Sequence, residues 1–113
     1  MNIPKVIWVG GTRIKVQVKE MDGLYGQFLY DKMRIELNEE LLADPREMRD
    51  TLRHEMVEAA LLISGVGWSE RYEQESVVRA LDNIFWPAWE IVQAILDAKS
   101  PPKRTKSAVR SKK

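Results

Sequence analysis

An α+β fold is predicted by three features of the chain: an alternating apolar–polar segment split by Gly10-Gly11, two further short strand-like runs, and a capped, helical second half. The expected architecture is a small, mostly antiparallel sheet of three or four strands followed by two main helices. At 113 residues and 44% hydrophobic content, the chain suffices for one compact core. It shows no internal repeat.

Val6–Val9 and Thr12–Lys19 flank the glycine pair, the residue type that two-residue hairpin turns demand. In the second arm Ile14, Val16 and Val18 alternate with Arg13, Lys15, Gln17 and Lys19, so one face is covered and the other wet. Asp22-Gly23 marks another turn. Tyr25–Tyr30 and Met33–Leu37 read as two more strands, joined at Asp31-Lys32. Asp44-Pro45-Arg46-Glu47 then opens a helix with a cap residue, a proline at the first helical position and an acid three residues after the cap. Met48, Leu52, Met56, Ala59, Ala60 and Ile63 give its apolar stripe, and Gly65 its stop. A second helix is expected after Ser69, burying Val77, Val78, Leu81, Ile84, Phe85, Ala88, Val92, Ile95 and Leu96. Pro87 lies within that stripe and should kink or divide it. Trp86 and Trp89 flank Pro87, and one or both should complete the core against the sheet.

The net charge of +1 conceals an asymmetry. Residues 99–113 hold seven basic residues and no acid, which leaves residues 1–98 with 11 basic against 17 acidic. The boundary falls at Ser100-Pro101-Pro102. Residues 1–98 are therefore read as the folded domain and 99–113 as a basic tail too polar to offset its ordering entropy. Such a tail suits contact with nucleic acid through phosphate charge, without sequence reading, because it carries no aromatic residue to stack on bases. The chain has no cysteine, which excludes disulfides and thiolate metal sites and suits a reducing cytoplasm. No signal-like segment follows Met1, and the longest strongly apolar run, Ala59–Ile63, is far too short to span a bilayer.

The chemistry-bearing motif is His54-Glu55-Met56-Val57-Glu58. On a helix, positions 54 and 58 lie one turn apart and side by side, so their side chains can share one ion. Glu55, one step round, can reach a water on that ion. In H-E-x-x-H helices the metal lowers the pKa of the water, and the glutamate takes its proton and later delivers it to the leaving amine. Here the second histidine is replaced by Glu58, and the chain has no other histidine. Glu75 and Glu73, at the start of the second helix, are the candidates for a third ligand. The same spacing also suits a solvated hydrogen-bonded pair on a helix surface.

The run Gly23-Leu24-Tyr25-Gly26-Gln27-Phe28-Leu29-Tyr30-Asp31-Lys32-Met33-Arg34-Ile35-Glu36-Leu37, then Thr51-Leu52-Arg53-His54-Glu55, then Glu73-Gln74-Glu75-Ser76-Val77-Val78-Arg79-Ala80-Leu81, resembles the minimal zincin-type proteins of phage and bacterial genomes. These in turn are similar to the ImmA/IrrE and SprT-like metallopeptidases. The resemblance spans about residues 5–97 and implies a zincin-like fold. It makes His54 a metal ligand, Glu55 the general base and Glu75 the third ligand, with Glu73 as the alternative. Glu58 departs from the pattern. Glutamate binds zinc through oxygen, but two carboxylates on one ion weaken its Lewis acidity and favour harder ions such as manganese or magnesium. The resemblance thus implies either a peptidase with an altered, weakened zinc site or a non-catalytic relative that binds a protein partner. It also implies a bacterial or phage-infected cytoplasm as the setting. In such folds the strand nearest the active helix offers its edge to an extended substrate, here Tyr25–Tyr30 or Met33–Leu37. Tyr25 and Gln27, together with Trp68 beside two glycines, are the candidate substrate- or partner-binding residues.

Overall fold

The computed structural model describes residues 1–65 and 74–98. It is an α+β fold in which helices cover one face of a four-stranded sheet. Strands β1 (Val6–Val9), β2 (Thr12–Lys19), β3 (Gly26–Leu29) and β4 (Arg34–Asn38) lie in the order β1-β2-β4-β3. The β1–β2 hairpin closes through Gly10 and Gly11 at φ 57° and 77°, the paired left-handed conformations that a tight hairpin turn requires. Its register runs from Val6 opposite Lys15 to Val9 opposite Thr12.

β4 pairs parallel with β2 and antiparallel with β3. Two antiparallel pairs are therefore joined by one parallel seam. This corrects one expectation: the run Met33–Leu37 is no docking edge, because both sides of β4 are already hydrogen-bonded. The edge strands are β1 and β3, and β3, beside α1, is shorter than the predicted Tyr25–Tyr30. Tyr30–Lys32 instead form one tight 3₁₀ turn ending at Met33, whose φ is 47°.

Alternation along the strands sends Ile7, Val9, Ile14, Val16, Ile35 and Leu37 to the covered face. Against it lies α1 (Pro45–Ile63), which buries Met48, Leu52, Met56, Ala59 and Ala60. The Glu47 N–H donates to the Asp44 carboxylate at 3.2 Å, the predicted cap, with Pro45 in the first turn. Asn38 ties the end of β4 to the preceding loop. Its Nδ2 donates to the Met21 and Leu24 carbonyls at 2.9 and 2.8 Å. The backbone N–H of Asn38 donates to Tyr25 O at 2.8 Å, which fixes Tyr25 at the entrance to β3.

The second helix is divided, as Pro87 implies. α2 (Gln74–Ala80) runs into a π-helical segment, Leu81–Phe85, and then α3 (Trp86–Asp97). Proline has no N–H to donate four residues back, and its ring would press on that carbonyl. In the turn just before the proline the helix is wider, with the Trp86 N–H bonded to Leu81 O, five residues back. The buried stripe is narrower than expected. Phe85, Ala88, Trp89, Val92 and Leu96 are buried, whereas Val78 and Ile95, expected inside, are exposed. Trp89 stacks on Phe85 with ring centroids 6.3 Å apart, while Trp86 is 48% exposed. Arg49 of α1 and Asp97 of α3 form an ion pair that links the two helices.

α1 approaches β3 closely at Gly26. A Cβ there would stand 2.9 Å from Thr51 Cγ2 and 3.1 Å from the Glu36 carbonyl oxygen. Gly26→Ala should therefore lower stability by about 1–3 kcal/mol, read as a fall in the urea midpoint. On the opposite face Glu36 is buried beneath Gln27, Arg34 and Lys19. The hydrogen bond from Gln27 holds its carboxyl below the usual value of about 4.5, against the opposing effect of burial, with help from Lys19 and Arg34. A carboxylate with a lowered folded-state pKa stabilises the fold above its unfolded-state value, and that contribution fades as pH falls through the lowered one. Urea midpoints should thus drop below pH 4.5, and Glu36→Gln should flatten that acid limb.

Candidate metal centre

Helix periodicity separates the three motif residues. Leu52, Met56 and Ala59 face the sheet, so His54 and Glu58 fall on the outer side of α1, 70% and 50% exposed at their side chains. Glu55 lies about 100° further round, on the row of Thr51, and is only 5% exposed. Together His54, Glu55 and Glu58 offer one imidazole nitrogen and two carboxylate oxygens, all within 4.8 Å of one another. His54 Nε2 lies 2.9 Å from Glu58 Oε2. The expected pairing of positions 54 and 58 is thus present in the described structure.

Burial pushes the Glu55 carboxyl above its ordinary range, the nearby Glu58 carboxylate adds to the rise, and His54 opposes it. A partly desolvated carboxylate beside a second acid is a natural partner for a cation and a competent proton acceptor. Two recesses flank His54. One, about 290 Å³, separates α1 from the start of β3 and is lined by Tyr25, Gly26, Glu47, Asp50, Thr51 and Glu55 as well as His54. The other, about 430 Å³, is more apolar, with Val57, Leu81, Phe85 and Trp86 on its walls.

Of the predicted contact residues, Tyr25 reaches the site. Gln27 does not, and this is a correction. Alternation from Gly26 turns its side chain to the far face of the sheet, where its amide donates to Glu36 Oε1 at 2.8 Å. Glu75 sits in the first turn of α2, but its side chain, like Glu73 and Trp68, lies outside the described residues. Glu47 and Asp50 line the first recess without having been anticipated. Their spacing, seven and four residues before His54, places them on the same helical face, a signal present in the sequence. Of Trp86 and Trp89, one or both of which were expected in the core, Trp89 is buried there and Trp86 lines the second recess.

The chain matches no protein-family model, no curated protein and no solved structure. No helix among the described residues is long and apolar enough to cross a membrane.

The pairing at 54 and 58 has a direct test. Glu58→His should raise zinc affinity by about tenfold or more (about 1.4 kcal/mol), because a neutral imidazole replaces a carboxylate on the ion. Isothermal calorimetry of both proteins reads the difference.

Proposed function

We propose that the chain is a zincin-type protein that holds a divalent cation between His54 and Glu58 and handles an extended protein segment along the edge of β3. Its hydrolytic power is reduced by the glutamate at position 58. The observation that carries this reading is the convergence of His54, Glu55 and Glu58 on one flank of α1, where His54 and Glu55 line a recess shared with Tyr25 and Gly26 at the start of the edge strand.

The donor set fits a small divalent ion. Nitrogen and oxygen ligands about 2.0–2.2 Å from a tetrahedral zinc stand roughly 3.4 Å apart. The His54–Glu58 contact of 2.9 Å reaches that by a small rotation of two exposed side chains. A cation also offsets the repulsion between Glu55 and Glu58. When bound, the ion supplies Lewis acidity towards water and a peptide carbonyl. Glu55 contributes a carboxyl whose raised pKa suits it to take up a proton and return it. The free backbone groups of the edge strand orient an extended chain by strand addition, with Tyr25 at the entrance. Carboxylate at 58 favours manganese or magnesium over zinc, relative to a second imidazole.

The self-satisfied contact between His54 and Glu58 favours a second reading. In it, the same scaffold binds a protein partner without catalysis, in the cytoplasm of a bacterial or phage-infected cell. Metal uptake and proteolysis, measured together, separate the two. On the first reading the purified protein takes up zinc or manganese, His54→Ala abolishes uptake, and Glu55→Gln retains the ion while losing hydrolysis of a casein substrate. If the natural chain takes up neither ion and Glu58→His does, the second reading stands.

A further inference from the structure

The outer face of the sheet, turned away from the helices and from His54, gathers basic side chains around an exposed indole. Register sets Trp8 opposite Arg13, Val6 opposite Lys15, and Lys15 opposite Arg34. These residues therefore share the face opposite the one that buries Ile7, Ile14 and Ile35. Trp8 is 59% exposed there. The Lys5 carbonyl still accepts the Val16 N–H at 2.8 Å, but the preceding residues turn away from β2. A groove of about 640 Å³ opens at that divergence, lined by Ile3, Pro4, Lys5, Arg13, Lys15 and Arg34 with Gln17 and neighbouring valines, and no carboxylate lines it. Arg34 is partly neutralised by Glu36 at 2.9 Å. Among the described residues, Lys5, Arg13 and Lys15 form no ion pair.

The described chain also ends near this edge. Asn2 Nδ2 donates to the Ala98 carbonyl at 2.9 Å, so the chain leaves α3 beside the segment that borders the groove. The residues that follow, 99–113, carry seven lysines and arginines and no acid. The remainder of the chain is acidic overall, so this concentration of positive charge is not a property of the whole surface. A polyanion is its electrostatic complement.

We infer that this face binds single-stranded nucleic acid, with Trp8 stacked on a base and Lys5, Arg13 and Lys15 on phosphates. A single strand is favoured over a duplex because the face is an open sheet that presents one aromatic ring and projects no helix for a groove. Arg13 and Lys15, two residues apart on β2, are spaced by roughly 6.8 Å, about one backbone step of an extended strand. The inference stands apart from the metal site, which is on the opposite side of the sheet.

The test is fluorescence anisotropy of a short labelled oligothymidylate with the full chain across a salt series. Binding should weaken with salt. The Arg13→Gln/Lys15→Gln double variant should lower the slope of log K against log salt by about 1.4, the value for two phosphate contacts on a single strand. Trp8→Ala should weaken binding about fivefold or more, and Trp8→Phe should keep most of it. Lys5→Gln, which lies outside the strands, should lower the slope by about 0.7 without touching the sheet. Unchanged urea midpoints confirm that the variants report the face and not the fold. Four results would overturn the inference. These are no binding at low salt, an unchanged slope in the charge variants, equal binding of duplex and single strand, or capture by anionic vesicles without binding to oligothymidylate.

Discussion

The approach of α1 to β3 is the constraint from which the rest of the molecule follows. It is possible because Gly26 has no side chain: Thr51 Cγ2, the Glu36 carbonyl and Leu37 Cδ2 fill the space that a Cβ would need. With the helix pressed to the strand at that level, the next turn places Glu55 in a buried position beside the edge. Packing of Leu52, Met56 and Ala59 fixes the rotation of the helix about its axis. His54 and Glu58 are then left on the exposed flank, in contact with each other, with His54 also lining the cleft.

The two faces of the sheet have opposite chemistry, and alternation along β2 produces both. Ile14, Val16 and Val18 carry the core, while Arg13, Lys15, Gln17 and Lys19 carry the outer surface. Parallel pairing with β4 then lines Arg34 and Glu36 up with that outer row. Glu36 is buried there among cations and the Gln27 amide, which ties three strands together electrostatically. The antiparallel β3–β4 register, with Gln27 opposite Glu36, keeps Gln27 out of the cleft. One residue along an edge strand is enough to exchange a site for its reverse side.

The site combines an exposed pair with a buried acid. The exposed pair contributes little to stability by itself, since solvent screens it. Its importance lies in geometry: one imidazole and one carboxylate already in contact, beside an acid whose carboxyl is pushed up by burial and by its neighbour. The apolar recess on the other flank is walled by the wide turn at Leu81–Phe85 and by Trp86, which is half exposed near His54 while Trp89 is buried in the core.

Local chemistry was legible in the sequence alone: the Gly10-Gly11 hairpin, the Asp44-Pro45 start of α1, the division of the second helix at Pro87 and the adjacency of His54 and Glu58. Each depends on residues within one turn or one hairpin, where backbone geometry leaves few alternatives. Strand order, the identity of the edge strand, the outward turn of Gln27 and the emergence of Trp86 were decided only by the tertiary structure. They depend on which strand pairs with which and on how the helices pack against the sheet, and both are set by contacts between segments far apart in the chain. The basic groove belongs to this second group: Lys5, Arg13, Lys15 and Arg34 become neighbours only when β2 lies between β1 and β4.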